Sequence, residues 1–140
     1  MLVSKSVLER MESYRQNLSS SNESGGLLLG YRRGPHLEIV DITIPFSGDV
    51  QKRSYFYRCD SAHEHYAYEK WKGSGNEIDY LGEWHTHPES LPTPSDLDMR
   101  EWKNVVGGRA YAMTFFIIGT VDTWVGVGDC VSIKSCNVVD

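Results

Sequence analysis

His85-Thr86-His87 is followed, after seven residues, by Ser95-Asp96-Leu97-Asp98. Two histidines one residue apart, at the end of the apolar run Tyr80, Leu81, Trp84, suit an extended backbone, on which positions i and i+2 project to the same side. Both imidazoles can then reach one ion. Pro88, Pro92 and Pro94 keep the connection stiff and non-helical, so the chain can turn back and bring Asp98 to the pair as a carboxylate ligand. Two imidazole nitrogens and a carboxylate oxygen are a donor set that Zn²⁺ accepts, and three protein ligands leave one tetrahedral position for water. An open position marks a catalytic rather than a structural zinc site.

Plainer readings attach to the same residues. His-x-His pairs occur on ordinary strands and surfaces without metal. Ser95 and Asp98 also fit the N-cap and N3 positions of a helix whose buried stripe would include Leu97, Trp102 and Val105. Capping and ligation are compatible, so the spacing leaves both open. A second pair, His63-Glu64-His65, falls on a helical stretch, where i and i+2 lie roughly 200° apart and cannot grip one ion; it reads as solvent-facing.

Taken together, His85-x-His87, seven residues and Ser95-x-x-Asp98 resemble the signature of the JAMM (JAB, MPN-plus) metalloproteases. That family also carries a distant upstream glutamate in a strand of the form Glu-x-x-Gly-x-Leu-x-Gly, and Glu23-Ser24-Gly25-Gly26-Leu27-Leu28-Leu29-Gly30 fits it. The resemblance spans roughly residues 5 to 130. It implies an α/β fold, a single-domain mixed sheet with flanking helices of MPN/JAB (cytidine-deaminase-like) architecture over residues 1–140. It further implies one Zn²⁺ per chain on His85, His87 and Asp98, Glu23 as the catalytic proton carrier, and Ser95 as a donor to the developing oxyanion.

Enzymes of that family cleave amides after the C-terminal tail of ubiquitin or ubiquitin-like proteins, and some bacterial members remove a conjugated protein instead. The version Gly82-Glu83-Trp84-His85-Thr86-His87-Pro88-Glu89 resembles stand-alone bacterial members, especially the deconjugating peptidase of CBASS anti-phage operons. The expected partner is a protein substrate with an extended C-terminal tail, either ubiquitin-like or a conjugated nucleotide cyclase. About a dozen residues separate Asp98 from the strand near Tyr111, which leaves little room for the second ubiquitin-gripping insertion of eukaryotic deubiquitinases. Efficient cleavage of ubiquitin chains is therefore not expected. The same site on a different groove would serve a small-peptide or sulfur-carrier-processing peptidase, and a non-catalytic scaffold of this fold would be expected to lack the ligands. His87-Pro88-Glu89 superficially suggests a zinc nucleoside deaminase, but the Pro-Cys-x-x-Cys that chemistry needs is missing, and so is a helical His-Glu-x-x-His.

The elements that must position these residues follow from pattern. Val7, Leu8, Met11, Tyr14 and Leu18 recur at helical spacing over Ser4 to Leu18. Gly26 to Gly30 reads as a buried strand, and Leu37 to Ile44 as its hairpin partner across Arg33-Gly34-Pro35. Residues 46–58 read as a loop and short strand beside the cleft, with Tyr55, Phe56 and Tyr57 as candidate substrate contacts. A helix over Ser61 to Lys72, a strand over Asn76 to Trp84, a helix over Ser95 to Val106, two apolar strands over 110–119 and 121–128, and a last strand over Val131 to Val138 complete the chain.

Bulk composition bounds the function. A formal charge of −5 without a clustered Lys/Arg surface argues against a general nucleic-acid binder. No apolar run approaches the roughly 20 residues of a membrane span and no signal peptide is recognisable, so a cytoplasmic location is expected. Cys59, Cys130 and Cys136 lack Cys-x-x-Cys spacing and read as small buried hydrophobes.

Overall fold

The computed structural model describes residues 1–129 and 131–138. In chain order the elements are β1 (Leu2–Val3), α1 (Lys5–Glu12), β2 (Gly25–Arg33), β3 (His36–Ile42), β4 (Val50–Lys52), β5 (Tyr55–Tyr57), α2 (Ala62–Gly73), β6 (Asp79–Thr86), α3 (Asp96–Gly107), β7 (Met113–Ile118), β8 (Thr123–Gly128) and β9 (Ile133–Ser135). Seven strands form a mixed sheet in the order β1-β3-β2-β6-β7-β8-β9, parallel at β1–β3 and β6–β7 and antiparallel elsewhere, while β4 and β5 form a separate two-stranded hairpin. The fold is thus mixed α/β, with the expected β2–β3 hairpin turning at Gly34.

Every residue of β7 is buried, and its side chains alternate between two cores. Phe116 and Ile118 join Val7 and Met11 of α1, Leu28, Ile39 and Leu81. Met113, Phe115 and Ile117 face Trp102 and Val106 of α3. A strand covered on both faces needs a continuous apolar run rather than alternation, and Met113-Thr114-Phe115-Phe116-Ile117-Ile118 supplies it.

One irregularity aims the site. Opposite β2, Leu28 pairs with Gly82 but Leu29 pairs with Tyr80, so Leu81 is an extra residue in β6. Such a bulge inverts the alternation that follows it. Tyr80 packs toward the α3 core and Leu81 toward the α1 core, yet Trp84, three residues on, also belongs to the α1 core. Glu83, His85 and His87 are thereby turned toward the cleft beside α3. Gly82 makes this possible: its φ is +154°, and a Cβ there would collide with the carbonyl of Thr114 on β7.

Several boundaries differ from those the sequence suggested. The first helix stops at Glu12, where Ser13 Oγ donates back to the Arg10 carbonyl, and Leu18, expected on its buried stripe, lies beyond it and is 68% exposed. The last strand is only Ile133–Ser135. Cys59 is exposed and Cys136 half-buried, against the expected burial; Cys130 lies outside the described residues.

Candidate metal centre

His85 is the penultimate residue of β6, and His87 follows the strand with its backbone N–H donating to the Ile118 carbonyl at 3.0 Å. Their Nε2 atoms lie 3.0 Å apart. Asp98 completes a triangle, its Oδ1 3.3 Å from His85 Nε2 and its Oδ2 3.2 Å from His87 Nε2. Bonds of about 2.0–2.1 Å to a tetrahedral Zn²⁺ would set ligand atoms about 3.3 Å apart, so the two ring nitrogens and the Asp98 carboxylate are spaced to serve one such ion. His87 Nδ1 sits 2.9 Å from Glu89 Oε1. With Nδ1–H donating to that carboxylate, loss of the Nε2 proton would leave a lone pair facing the triangle, the arrangement a ligating imidazole needs.

Local structure accounts for the placement of Asp98. Ser95 is the N-cap of α3: its Oγ accepts from Asp98 N at 3.1 Å, and Asp98 Oδ2 accepts from Ser95 N at 2.9 Å, a full capping box. The capping box and a carboxylate facing both histidines therefore coexist, because the cap itself turns Asp98 toward them. The proline loop between them is pinned on the β7–β8 turn, with Thr120 N donating to Glu89 O at 2.7 Å and Asp122 N to Ser90 O at 2.9 Å.

Glu23 enters from the opposite side, immediately before β2. It is 5% exposed, and one of its carboxylate oxygens and a ring nitrogen each of His85 and His87 all lie within 4.8 Å of one another. Its N–H donates to Lys52 O of β4 at 2.7 Å, and its carbonyl accepts from Gln51 Nε2 at 3.1 Å. Ser24 and Thr86 tie it to β6 through Ser24 N to Thr86 Oγ1 and Thr86 N to Ser24 O, both 2.9 Å.

The two carboxylates sit in opposed electrostatic states. Burial pushes the Glu23 carboxyl up to about 7, against the lowering pull of both imidazoles. Burial works the same way on Asp98, but hydrogen bonds from His85 and His87 win and hold it well below the usual carboxylate range. On His87 burial disfavours charge, and the Asp98 and Glu89 carboxylates outweigh it and raise the pKa. Asp98 is thus the persistent anion at the pair, and Glu23 the group poised to exchange a proton.

These residues open on a cleft of about 410 Å³. Tyr55, Phe56 and Tyr57 of β5 form one wall, with the rings of Tyr55 and Tyr57 stacked 6.4 Å apart; Leu97 and Glu101 of α3 form another. Ser95 lines the mouth, and because its Oγ is already an acceptor, its own proton remains to be donated. Arg58 Nη2 and Tyr80 OH both bind Glu83 Oε1, at 2.8 and 3.1 Å, and fix the floor.

Residues 5–131 match the family described as prokaryotic homologs of the JAB domain. The chain belongs to that family. Curated relatives in it include a "CD-NTase/cGAS isopeptidase" of Escherichia coli, 41% identical over 90% of this chain and 80% of its own length. A protein of the same description from Vibrio cholerae is 41% identical over 86% of this chain and 76% of its own length, and one from Pseudomonas aeruginosa is 43% identical over 76% and 67%. Among solved structures, a protein of Desulfitobacterium hafniense superposes with a TM-score of 0.71 at 20% identity, covering 99% of this chain and 90% of that one, which is a likeness of fold.

In this JAB-family chain the structure also brings in residues that the spacing did not announce. Glu89 orients His87, and Gln51 and Lys52 hold the backbone of Glu23. A carboxylate two residues past His87 was the available signal for Glu89; nothing local marks Gln51. The reading of His63 and His65 as solvent-facing holds for His65 alone. His63 is 0% exposed, because residues 46–49 fold over the start of α2, and Thr43 and Asp49 give its two ring nitrogens partners.

Proposed function

We propose that this chain is a zinc-dependent isopeptidase that hydrolyses the amide linking a conjugated protein to the extended C-terminal tail of its partner, and that the partner is a CD-NTase-type nucleotide cyclase of a CBASS-type anti-phage system. The observation that carries the reading is the His85–His87–Asp98 triangle with a buried glutamate facing it across a cleft. The relatives' description as CD-NTase/cGAS isopeptidases supports the substrate.

Ligation by His85, His87 and Asp98 suits the persistent negative charge of Asp98. Glu23, whose carboxyl is pushed up to about 7 by burial in the metal-free site, suits proton transfer rather than permanent ligation. When bound, Zn²⁺ supplies Lewis-acid chemistry, polarising a carbonyl and acidifying water. Glu23 accepts a proton from the attacking water and delivers it to the amine nitrogen as the C–N bond breaks, so the carboxylate is regenerated and the products are a carboxylate and an amine. The Ser95 hydroxyl donates to the carbonyl oxygen as charge gathers there. Among the described residues β5 pairs only with β4. An extended tail can therefore lie along its free edge, with main-chain hydrogen bonds giving affinity and the aromatic wall giving selectivity.

The test uses purified protein with its zinc content measured, a CD-NTase conjugate as substrate, and Glu23→Gln as the comparison. Wild type should release the conjugated protein, and Glu23→Gln should keep its zinc while turning over about 10²–10⁴-fold more slowly. A zinc-loaded wild type that leaves both the conjugate and linear tail fusions intact would refute the assignment.

A further inference from the structure

Away from the cleft, one ionisable pair is enclosed completely. His63 of α2 and Asp49 of the preceding loop have side chains 0% exposed, with His63 Nε2 2.6 Å from Asp49 Oδ2. His63 Nδ1 lies 2.6 Å from Thr43 Oγ1, which accepts from Leu27 N of β2 at 2.7 Å. The Asp49 carboxylate can only accept, so His63 donates to it from Nε2, which in the singly protonated ring leaves Nδ1 to accept from the Thr43 hydroxyl. A buried chain satisfied at every atom specifies one arrangement of the segments it joins.

Those segments matter because of what they carry. Asp49 also accepts from Phe46 N at 2.9 Å, Cys59 N at 3.0 Å and Asp60 N at 2.9 Å. A single carboxylate thus closes the neck of the excursion that contains β4 and β5. Inside that neck, Lys52 O and Gln51 Nε2 hold the Glu23 backbone. Phe56 packs so tightly on Gly25 that an added Cβ would lie 2.6 Å from its ring. The candidate ligands His85, His87 and Asp98 share β6 contacts with the Glu23 segment but have supports of their own in β7 and the α3 cap.

We propose that the Thr43–His63–Asp49 chain is a positioning device for Glu23, fixing the β4–β5 hairpin so that the glutamate faces the His85–His87–Asp98 triangle. The inference rests on the role assigned above to Glu23. It separates two functions in space: this chain aims the proton carrier, and the other elements hold the ion.

Thr43→Val removes the hydroxyl at nearly constant shape, and Thr43→Ser restores it. Zinc stoichiometry, amide hydrogen exchange and turnover of the conjugate are measured on the full chain. Thr43→Val should bind zinc as wild type does, exchange the Glu23 amide at least about tenfold faster, and lose about 10–10²-fold in kcat/KM, the range that a small misplacement of a reacting group costs. Thr43→Ser should restore exchange and rate together. If Thr43→Val does not fold, His63→Gln is read in the same way. Unchanged exchange at Glu23, or loss of zinc in step with loss of rate, would overturn the proposal. Exchange needs no substrate, so a wild type unable to cleave the conjugate would count against the proposed function and leave this inference to its own result.

Discussion

Asp98 does two things with one carboxylate: it receives the Ser95 N–H of the helix cap and contacts both imidazoles. Ser95 is likewise divided between capping α3 and lining the cleft. Ser95→Ala should therefore show two separable losses, about 1 kcal/mol of stability from the cap and ~10²–10³-fold in rate from the missing donor. Thermal melting and turnover read them independently, and zinc content should not change, because the Ser95 backbone N–H that steadies Asp98 survives. At this scale the candidate site was legible where its geometry is local. A one-residue spacing on a strand and a three-residue spacing at a helix start each fix a direction without help from the rest of the chain. His63 was not legible, since what buries it is Asp49 and Phe46, brought over α2 by a loop whose path no periodicity encodes.

The bulge in β6 is the element on which the site turns. Were β6 regular, with Leu81 paired in turn, the alternation from Tyr80 would carry His85 to the α1 core and Trp84 to the cleft. Both histidines lie after the bulge, so the inference that they share a side survived although the bulge itself was not read from the sequence. Gly82→Ala should cost about 1–3 kcal/mol through the unfavourable φ and the collision with Thr114. Unlike an ordinary core substitution, it should also weaken zinc binding, because the strand can relieve the clash only by shifting the histidines. Denaturation and zinc titration on the same sample check the pairing of the two effects; full zinc affinity in a destabilised Gly82→Ala would separate the bulge from the site.

Across the molecule, the triangle joins β6 to α3, two elements that otherwise meet mainly through the Trp102 core, where His85 lies 5.9 Å from the Trp102 ring. An ion bound there would link the two layers. At a hundredfold excess over Kd it would add ~2.7 kcal/mol, raising Tm by roughly 5–10 °C for a chain of this length. Removing it exposes the state of Glu23. With its folded pKa raised from 4.5 to about 7, the stability of holding Glu23 uncharged is complete below 4.5 and is lost as pH rises through about 7. The zinc-free protein should therefore become less stable across that window, and Glu23→Gln should flatten the decline, as melting curves at stepped pH would record. The overall α/β order was legible because β7 and the β2–β3 hairpin have strong local patterns. The end of α1 was not, because a serine hydroxyl turning back on the Arg10 carbonyl leaves no mark in the apolar spacing, and neither was the shortness of β9.

The most direct measurement is anomalous scattering at the zinc edge from crystals of the metal-loaded protein. The account predicts one peak per chain, about 2.0–2.2 Å from His85 Nε2, His87 Nε2 and an Asp98 oxygen, with the Glu23 carboxylate outside bonding distance. A peak coordinated by Glu23 in place of Asp98, or one located away from the two histidines, would contradict it.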